Sequence, residues 1–297
     1  MTKKWIVITF LTIIILLMST YLYARYVEPK KVTITCNYIK SKYIPNGFSG
    51  MKVVQFSDTH LGPNFTIEQL KELVNQMNML KPDIVVFTGD LIDNFGEYGS
   101  QKQKAQSILT QIHAPLGKYA VFGNHDRGGG GSYLYNKENV DNSLYKKLME
   151  GAGFTVLVNA IDKITSANGD QITIAGLDDF LLGMPKIPGT LQQLQQQDFN
   201  LLLVHEPDVA DKILEYPVDF QISGHSHGGQ VRFPFLKPII TTPLANQYVE
   251  GMYSLEGKKR SLQLYVNRGI GTTRAPFRLF CKPELSIFIL QRVEMEY

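Results

Sequence analysis

Twenty consecutive uncharged residues, Trp5 to Ala24 (WIVITFLTIIILLMSTYLYA), follow Lys3 and Lys4 and stop at Arg25. At ~1.5 Å per residue a helix of this length reaches roughly 30 Å, the thickness of a bilayer's hydrocarbon core. It has no polar face, unlike a helix lying on a globular core. Trp5, Tyr21 and Tyr23 fall near its ends, where amphipathic rings favour the membrane–water interface. A cleaved signal peptide is the competing reading. The run, however, exceeds the usual ~7–15 residue core of such signals, and no clear A-x-A site follows. The expectation is an uncleaved anchor over residues 1–27, a tether and first strand over 28–45, and one continuous domain over 46–297. Lys3 and Lys4 favour a single-pass anchor in the cell membrane with the domain outside the cytoplasm. Arg25, Lys30 and Lys31 pull the other way.

Beyond the anchor, short apolar runs alternate with amphipathic ones. KVTITCNYIK reads as a first strand and MKVVQFSD as a buried one. TIEQLKELVNQMNML carries a helical stripe (Ile67, Leu70, Leu73, Val74, Met77, Leu80), with Thr66 and Gln69 placed for a capping box. The strand PDIVVFTGD, a helix near 102–112 and the strand KYAVFGNHD continue the rhythm. A glycine-rich loop (RGGGGSYLYNKENV) and a helix near 140–150 follow, then the strands FTVLVNA, QITIAGLDD, FNLLLVHEPD and VDFQISGHSH. A further helix is expected between the last two. The final sixty residues read as proline-punctuated loops and strands. Nearly continuously apolar strands separated by helices indicate an α/β fold with parallel strands covered on both faces. Ligands in such folds gather at the C-terminal strand ends.

Composition changes this picture little. A net charge of +3 and the lack of a like-charge run give no reason to expect a nucleic-acid partner. Cys36 and Cys281 are consistent with one disulfide or two free thiols and have no metal-site spacing.

The chemistry lies where the strands stop. Asp58 and His60 (D-T-H), Asp90 (G-D), Asn124 and His125 (G-N-H-D), His205 (H-E-P-D), and His225 and His227 (G-H-S-H) each follow an apolar run. Any one of them alone would pass as a turn or cap residue. Five strand ends finishing in metal-competent side chains, expected at the same edge of one sheet, point to a metal cluster. Mixed oxygen and imidazole donors without thiolate suit Mn²⁺, Fe or Zn²⁺. Even with His125 set aside, the remaining seven donors exceed what one ion needs, and two ions sharing a carboxylate account for them.

These blocks, in this order, resemble the calcineurin-like metallophosphoesterase superfamily. The C-terminal stretch YVNRGIGTTRAPFRLFCKPELSIFIL is similar to its bacterial membrane-associated phosphodiesterase and pyrophosphatase branch. The resemblance implies a four-layer α/β/β/α sandwich behind an N-terminal transmembrane helix. It implies that Asp58, His60 and His227 hold one divalent ion, that Asn124, His205 and His225 hold another, and that Asp90 bridges them; of the candidate metals Mn²⁺ is favoured. His125 would act beside the scissile phosphate, oriented by Asp126. A water between two such ions becomes a hydroxide nucleophile near neutral pH. Arg268, Arg274 and Arg278 are candidates for substrate phosphate, since guanidinium groups pair with phosphate bidentately. Asp178 and Asp179 follow a strand and are as readily turn caps as site residues. Asn64 begins an N-F-T sequon, and Phe233, Phe235, Leu236 and Ile239 are expected to pack, with a lip for a lipid-bearing substrate near the membrane as the alternative.

The expected function is a membrane-tethered dinuclear phosphohydrolase that cleaves phosphodiester or pyrophosphate bonds in a phosphorylated small molecule or lipid-linked substrate. A metal-binding scaffold without turnover is the alternative, as is a phosphodiesterase directed at phospholipid.

Overall fold

The computed structural model describes residues 2–93, 99–127, 142–236, 238 and 240–294. The glycine-rich loop expected after Arg127 and the apolar residue Ile239 lie outside them.

Among the described residues, twelve strands form two six-stranded sheets. The first contains β1 (Thr33–Ser41), β2 (Lys52–Phe56), β3 (Ile84–Phe87), β4 (Lys118–Ala120), β5 (Thr155–Val156) and β12 (Glu284–Arg292). Its order is β1-β12-β2-β3-β4-β5, parallel throughout except where β12 meets β2. The second contains β6 (Ala160–Thr165), β7 (Gln171–Gly176), β8 (Asn200–Leu203), β9 (Phe220–Ser223), β10 (Gly251–Leu255) and β11 (Leu262–Val266). Its order is β10-β11-β9-β8-β7-β6, with antiparallel strands only at the two edges. Segment 28–45 contributes β1, which pairs with β12 from Thr33↔Glu284 to Ser41↔Arg292.

Three apolar cores separate four layers. Helices α2 (Ile67–Met79), α3 (Gly99–Leu109) and α4 (Asn142–Gly151) pack Leu70, Leu73, Met77, Leu109 and Leu148 against Val54, Phe56 and Phe87 of the first sheet. Val53, Val86, Phe220, Ile222 and Phe288 fill the space between the sheets. Leu202, Val204 and Leu264 face outward from the second sheet under Leu191 and Leu194. Val53 and Val54 enter different cores because successive strand residues point to opposite faces. This is why these strands lack a polar alternation. The fold is the expected α/β/β/α sandwich, with a thin outer layer on the second sheet. That layer consists of the five-residue α5 (Ile187–Leu191) and a 3₁₀ turn over Pro207–Lys212, the latter where the sequence led us to expect a further helix.

Local signals held where both partners were close in sequence. Thr66 Oγ1 accepts the Gln69 N–H at 3.4 Å, and Gln69 Oε1 accepts the Thr66 N–H at 3.0 Å, which closes the capping box that starts α2. The apolar run forms α1 (Thr2–Leu22), whose described side chains from Lys3 to Leu22 are exposed. Among the described residues it is the one helix long and apolar enough to cross a membrane. Both cysteines are free, Cys36 exposed and Cys281 buried.

Candidate metal centre

The candidate ligands leave the C-terminal strand ends of both sheets, a point the sequence alone did not separate. Asp58 and His60 follow β2, Asp90 follows β3 and Asn124 follows β4, all in the first sheet. His205 follows β8, and His225 and His227 follow β9, in the second. Backbone pairing continues past the strands: the Asp58 N–H donates to Gly89 C=O at 2.9 Å and the His60 N–H to Asp90 C=O at 3.1 Å. Beneath the ligands a buried polar layer ties the sheets together. Gln55 Nε2 donates to Ser223 C=O at 3.0 Å and to Thr88 Oγ1 at 2.8 Å, and Thr88 in turn bonds Ser57 at 2.6 Å.

The ligand loops are held in an unusual backbone state. Asp58, His60, Asp90, His225 and His227 all have φ between 44° and 68°. Residues other than glycine rarely occupy this left-handed region, and such strain persists where the surroundings enforce it, often at functional sites. Space is equally tight. A side chain at Gly224 would collide with the Asp58 carboxylate and the Ser57 hydroxyl. Glycine there lets the two sheets' loops approach one another.

Three groups of donors converge, with ligand atoms within 4.8 Å: Asp58, His60 and His227; His60, Asp90 and His125; Asp90, His205 and His225. Asp90 Oδ2 lies 3.5 Å from His60 Nε2 and 3.2 Å from His205 Nε2, between the two halves. Asp58 Oδ1 lies 3.4 Å from His227 Nε2.

The hydrogen bonds behind the rings fix which nitrogens remain open. His205 Nδ1–H donates to Thr88 C=O at 2.6 Å, which leaves Nε2 unprotonated in the neutral ring. His225 Nε2–H donates to Pro243 C=O at 2.8 Å, which leaves Nδ1. These two open nitrogens face each other at 3.1 Å. His60 Nδ1 meets Asp93 Oδ1 at 3.2 Å, which leaves Nε2 to face His227 Nε2 at 3.0 Å. The open nitrogens of His205 and His225 repel unless a cation lies between them, and second-layer bonds of this kind orient metal-ligating histidines; His227 Nδ1 is buried without a partner, so no such bond fixes that ring's tautomer. Asn124 Oδ1 is buried without a partner, a state that costs about 1–3 kcal/mol. The residues therefore fit two divalent cations.

Electrostatics divide the rings the same way. Burial pushes His225 down to about 4, helped by neighbouring His205. Burial, then His60, holds His227 well below its ordinary value. Burial also works against charge on His60 and His205, yet Asp93 and Asp90 lift His60 above its usual value, and Asp90 lifts His205 well above it. Burial would raise Asp90, but His205, His125 and His60 hold it well below the usual carboxylate range. Each facing pair thus has one ring drawn to positive charge and one held neutral.

His125 lies beside this cluster. Its ring is 4.6 Å from that of His60, edge to face, and its Nδ1–H donates to Asp93 C=O at 2.8 Å. Asp126, expected to orient it, instead accepts backbone N–H groups from Asp90 at 2.7 Å, Leu91 at 2.8 Å and Gly123 at 2.9 Å. Asp126 therefore holds the Asp90 loop, and burial pushes its carboxyl up to about 7. The orienting residue is Asp93, which sequence reading passed over. Only the fold brings it, three residues after Asp90, within reach of two imidazoles.

The arginines divide. Arg274 lines a cavity of about 60 Å³ over the cluster, together with Asp90, Asn124, His125, Leu181 and Thr273. Arg268 Nε lies 3.2 Å from Glu284, at the half-buried side of the same loop. Arg278, expected to meet substrate, is fully buried. It donates to the carbonyls of Gly271 at 2.6 Å, Arg268 at 2.8 Å, and Gly269 and Cys281 at 3.1 Å. It fixes the backbone behind Asp58, where the Gly271 N–H donates to Asp58 C=O at 2.7 Å. Asp178 and Asp179 cap the loop that carries Leu181, accepting the Met184 N–H at 2.9 Å and the Leu182 N–H at 2.6 Å.

Comparison with known proteins agrees with this geometry. Residues 51–229 match the calcineurin-like phosphoesterase family. An uncharacterized metallophosphoesterase of Bacillus subtilis, YkuE, is 47% identical over 91% of this chain and 90% of its own. The UDP-2,3-diacylglucosamine pyrophosphatase LpxG of Chlamydia muridarum is 28% identical over 90% of this chain and 92% of its own. The NAD nucleotidase of Haemophilus influenzae shares the fold with a TM-score of 0.50 at 16% identity, over 74% of this chain and 45% of that one.

Proposed function

This chain belongs to the calcineurin-like phosphoesterase family and is a metal-dependent hydrolase, and we propose that it is a membrane-tethered enzyme that cleaves phosphodiester or pyrophosphate bonds in a lipid-linked substrate. The observation that carries the chemistry is the pair of facing imidazole couples joined by Asp90, with His125 beside them. In this reading Asp58, His60 and His227 hold one divalent ion, Asn124, His205 and His225 the other, and Asp90 both. Oxygen and imidazole donors without thiolate suit Mn²⁺, Fe or Zn²⁺, and of these Mn²⁺ is the ion we favour. The ions would supply Lewis-acid polarisation of the phosphoryl group and an activated water.

The protein's own groups do the rest. Asp93 holds the His125 ring through its carbonyl, and the imidazolium form, which carries a second proton on Nε2, is the one that can pass a proton to the leaving oxygen. Arg274, at the cavity rim, pairs with a second phosphate, as a pyrophosphate substrate would require. Residues 1–27 anchor the enzyme, 28–45 lead into the first sheet, and 46–297 form the hydrolase, placed outside the cytoplasm. The exposed apolar α1 and the similarity to LpxG support a lipid-linked substrate.

The test uses full-length protein in detergent with Mn²⁺. Bis-p-nitrophenyl phosphate and a nucleoside diphosphate lipid should turn over at least about tenfold faster than p-nitrophenyl phosphate, and chelation should abolish both activities. A preference for the monoester, or turnover that survives chelation, would contradict the reading.

A further inference from the structure

We propose that Phe233, Phe235, Leu236 and Ile240, together with Phe280, form an apolar lip that dips into the surface of the bilayer holding α1 and fixes the mouth of the metal cavity at headgroup level. The inference rests on the tethering reading. Sequence favoured packing for this loop, yet Phe235 is fully exposed, Ile240 is 69% and Phe280 62% exposed, and Phe233 and Leu236 are also exposed. Phe235 and Phe280 both have positive φ, at 67° and 54°, so the backbone is strained where these rings face solvent.

The lip and the anchor meet on one short segment. Where α1 ends, Ala24 C=O accepts the Arg278 N–H at 3.0 Å, and the Tyr21 and Phe277 rings are 5.4 Å apart. The Glu28 carboxylate, itself buried, accepts the Cys281 N–H at 2.6 Å. The base of the lip joins the same segment: the Arg232 N–H donates to Leu279 C=O and the Leu279 N–H to Gln230 C=O, both at 2.9 Å. The far end of the lip runs into Thr242 and Pro243, which line the cavity, and Pro243 C=O accepts His225 Nε2–H. Anchor exit, apolar tip and cavity mouth are therefore contiguous. Exposed phenylalanines this close to a helix with no polar face suit the interfacial region of the same membrane, where apolar groups enter by ~5–10 Å. The consequence is functional: a phosphoester at headgroup depth meets the site without leaving the bilayer.

The experiment uses the full chain in vesicles of phosphatidylcholine and phosphatidylglycerol brominated near the upper acyl chain. Trp5 is the only tryptophan, so wild-type quenching reports on the anchor alone. In a Trp5→Phe background, the indole introduced by Phe235→Trp should emit to the blue of its detergent-free, lipid-free value and lose about half its intensity to bromine, as expected for interfacial depth. Water-like, unquenched emission would overturn the lip. Wild-type Trp5 that escapes quenching would instead overturn the tether, whatever the lip does. A second measurement reads the consequence. The double variant Phe235→Ser with Ile240→Ser should hydrolyse a vesicle-embedded diester about tenfold more slowly, because it loses apolar insertion. Its rate on soluble bis-p-nitrophenyl phosphate should be unchanged. Equal losses on both substrates would show a fold defect and count against the lip.

Discussion

Replacing Asp90 with asparagine is expected to lower turnover of bis-p-nitrophenyl phosphate by about 10³-fold or more, equivalent to several kcal/mol of lost transition-state stabilisation. Asparagine is nearly isosteric, and its oxygen can still accept the His125 N–H that Asp90 Oδ1 takes at 2.8 Å. The backbone of the loop, held by Asp126, is untouched. What changes is Oδ2, the atom between His60 and His205. A neutral amide cannot supply the shared negative charge, so both cation positions weaken together. Steady-state kinetics with Mn²⁺, alongside a thermal melt, separate this from misfolding. A variant with a wild-type melt and wild-type kcat would remove Asp90 from the centre of the account.

The second large effect is at His125. His125→Ala is expected to reduce kcat by about 10²–10⁴-fold on a pyrophosphate substrate, the range for losing a positioned general acid. The loss should be much smaller on bis-p-nitrophenyl phosphate, whose phenolate leaving group departs without a proton. That dependence on the leaving group is the signature of proton donation. Comparing kcat for the two substrates checks it, and an equal loss on both would instead assign His125 to charge stabilisation or structure. Metal content should not change, because the Asp58–His60–His227 and Asp90–His205–His225 groups do not include His125.

Much of this centre could be read from the sequence because its donors follow strands whose apolar runs are unmistakable. Asp58, His60, Asp90, Asn124, His205, His225 and His227 do meet in space. The layered fold was legible for the same reason. The sequence could not show that the donors come from two sheets, since parallel strands buried on both faces look alike whichever sheet they join. Nor could it separate Asp126 from Asp93. Both are carboxylates near the ligands, and only the backbone path decides that Asp126 turns toward three N–H groups while Asp93 meets His60. Arg278 misled for a related reason. An arginine in a polar loop suggests substrate, but here it is buried behind Asp58 and occupied by carbonyls. The left-handed φ of five ligands had no sequence signal, because none of them is glycine.

The central claim is that His225 and His227, two positions apart, serve different cations. Metal analysis of the full-length protein by inductively coupled plasma mass spectrometry tests it most directly. The wild type should carry about two divalent ions per chain. His225→Ala and His227→Ala should each retain about one, and anomalous scattering should place the retained ion beside His60 in the first variant and beside His205 in the second. A wild type that binds a single ion, or variants that both lose the same one, would contradict the account.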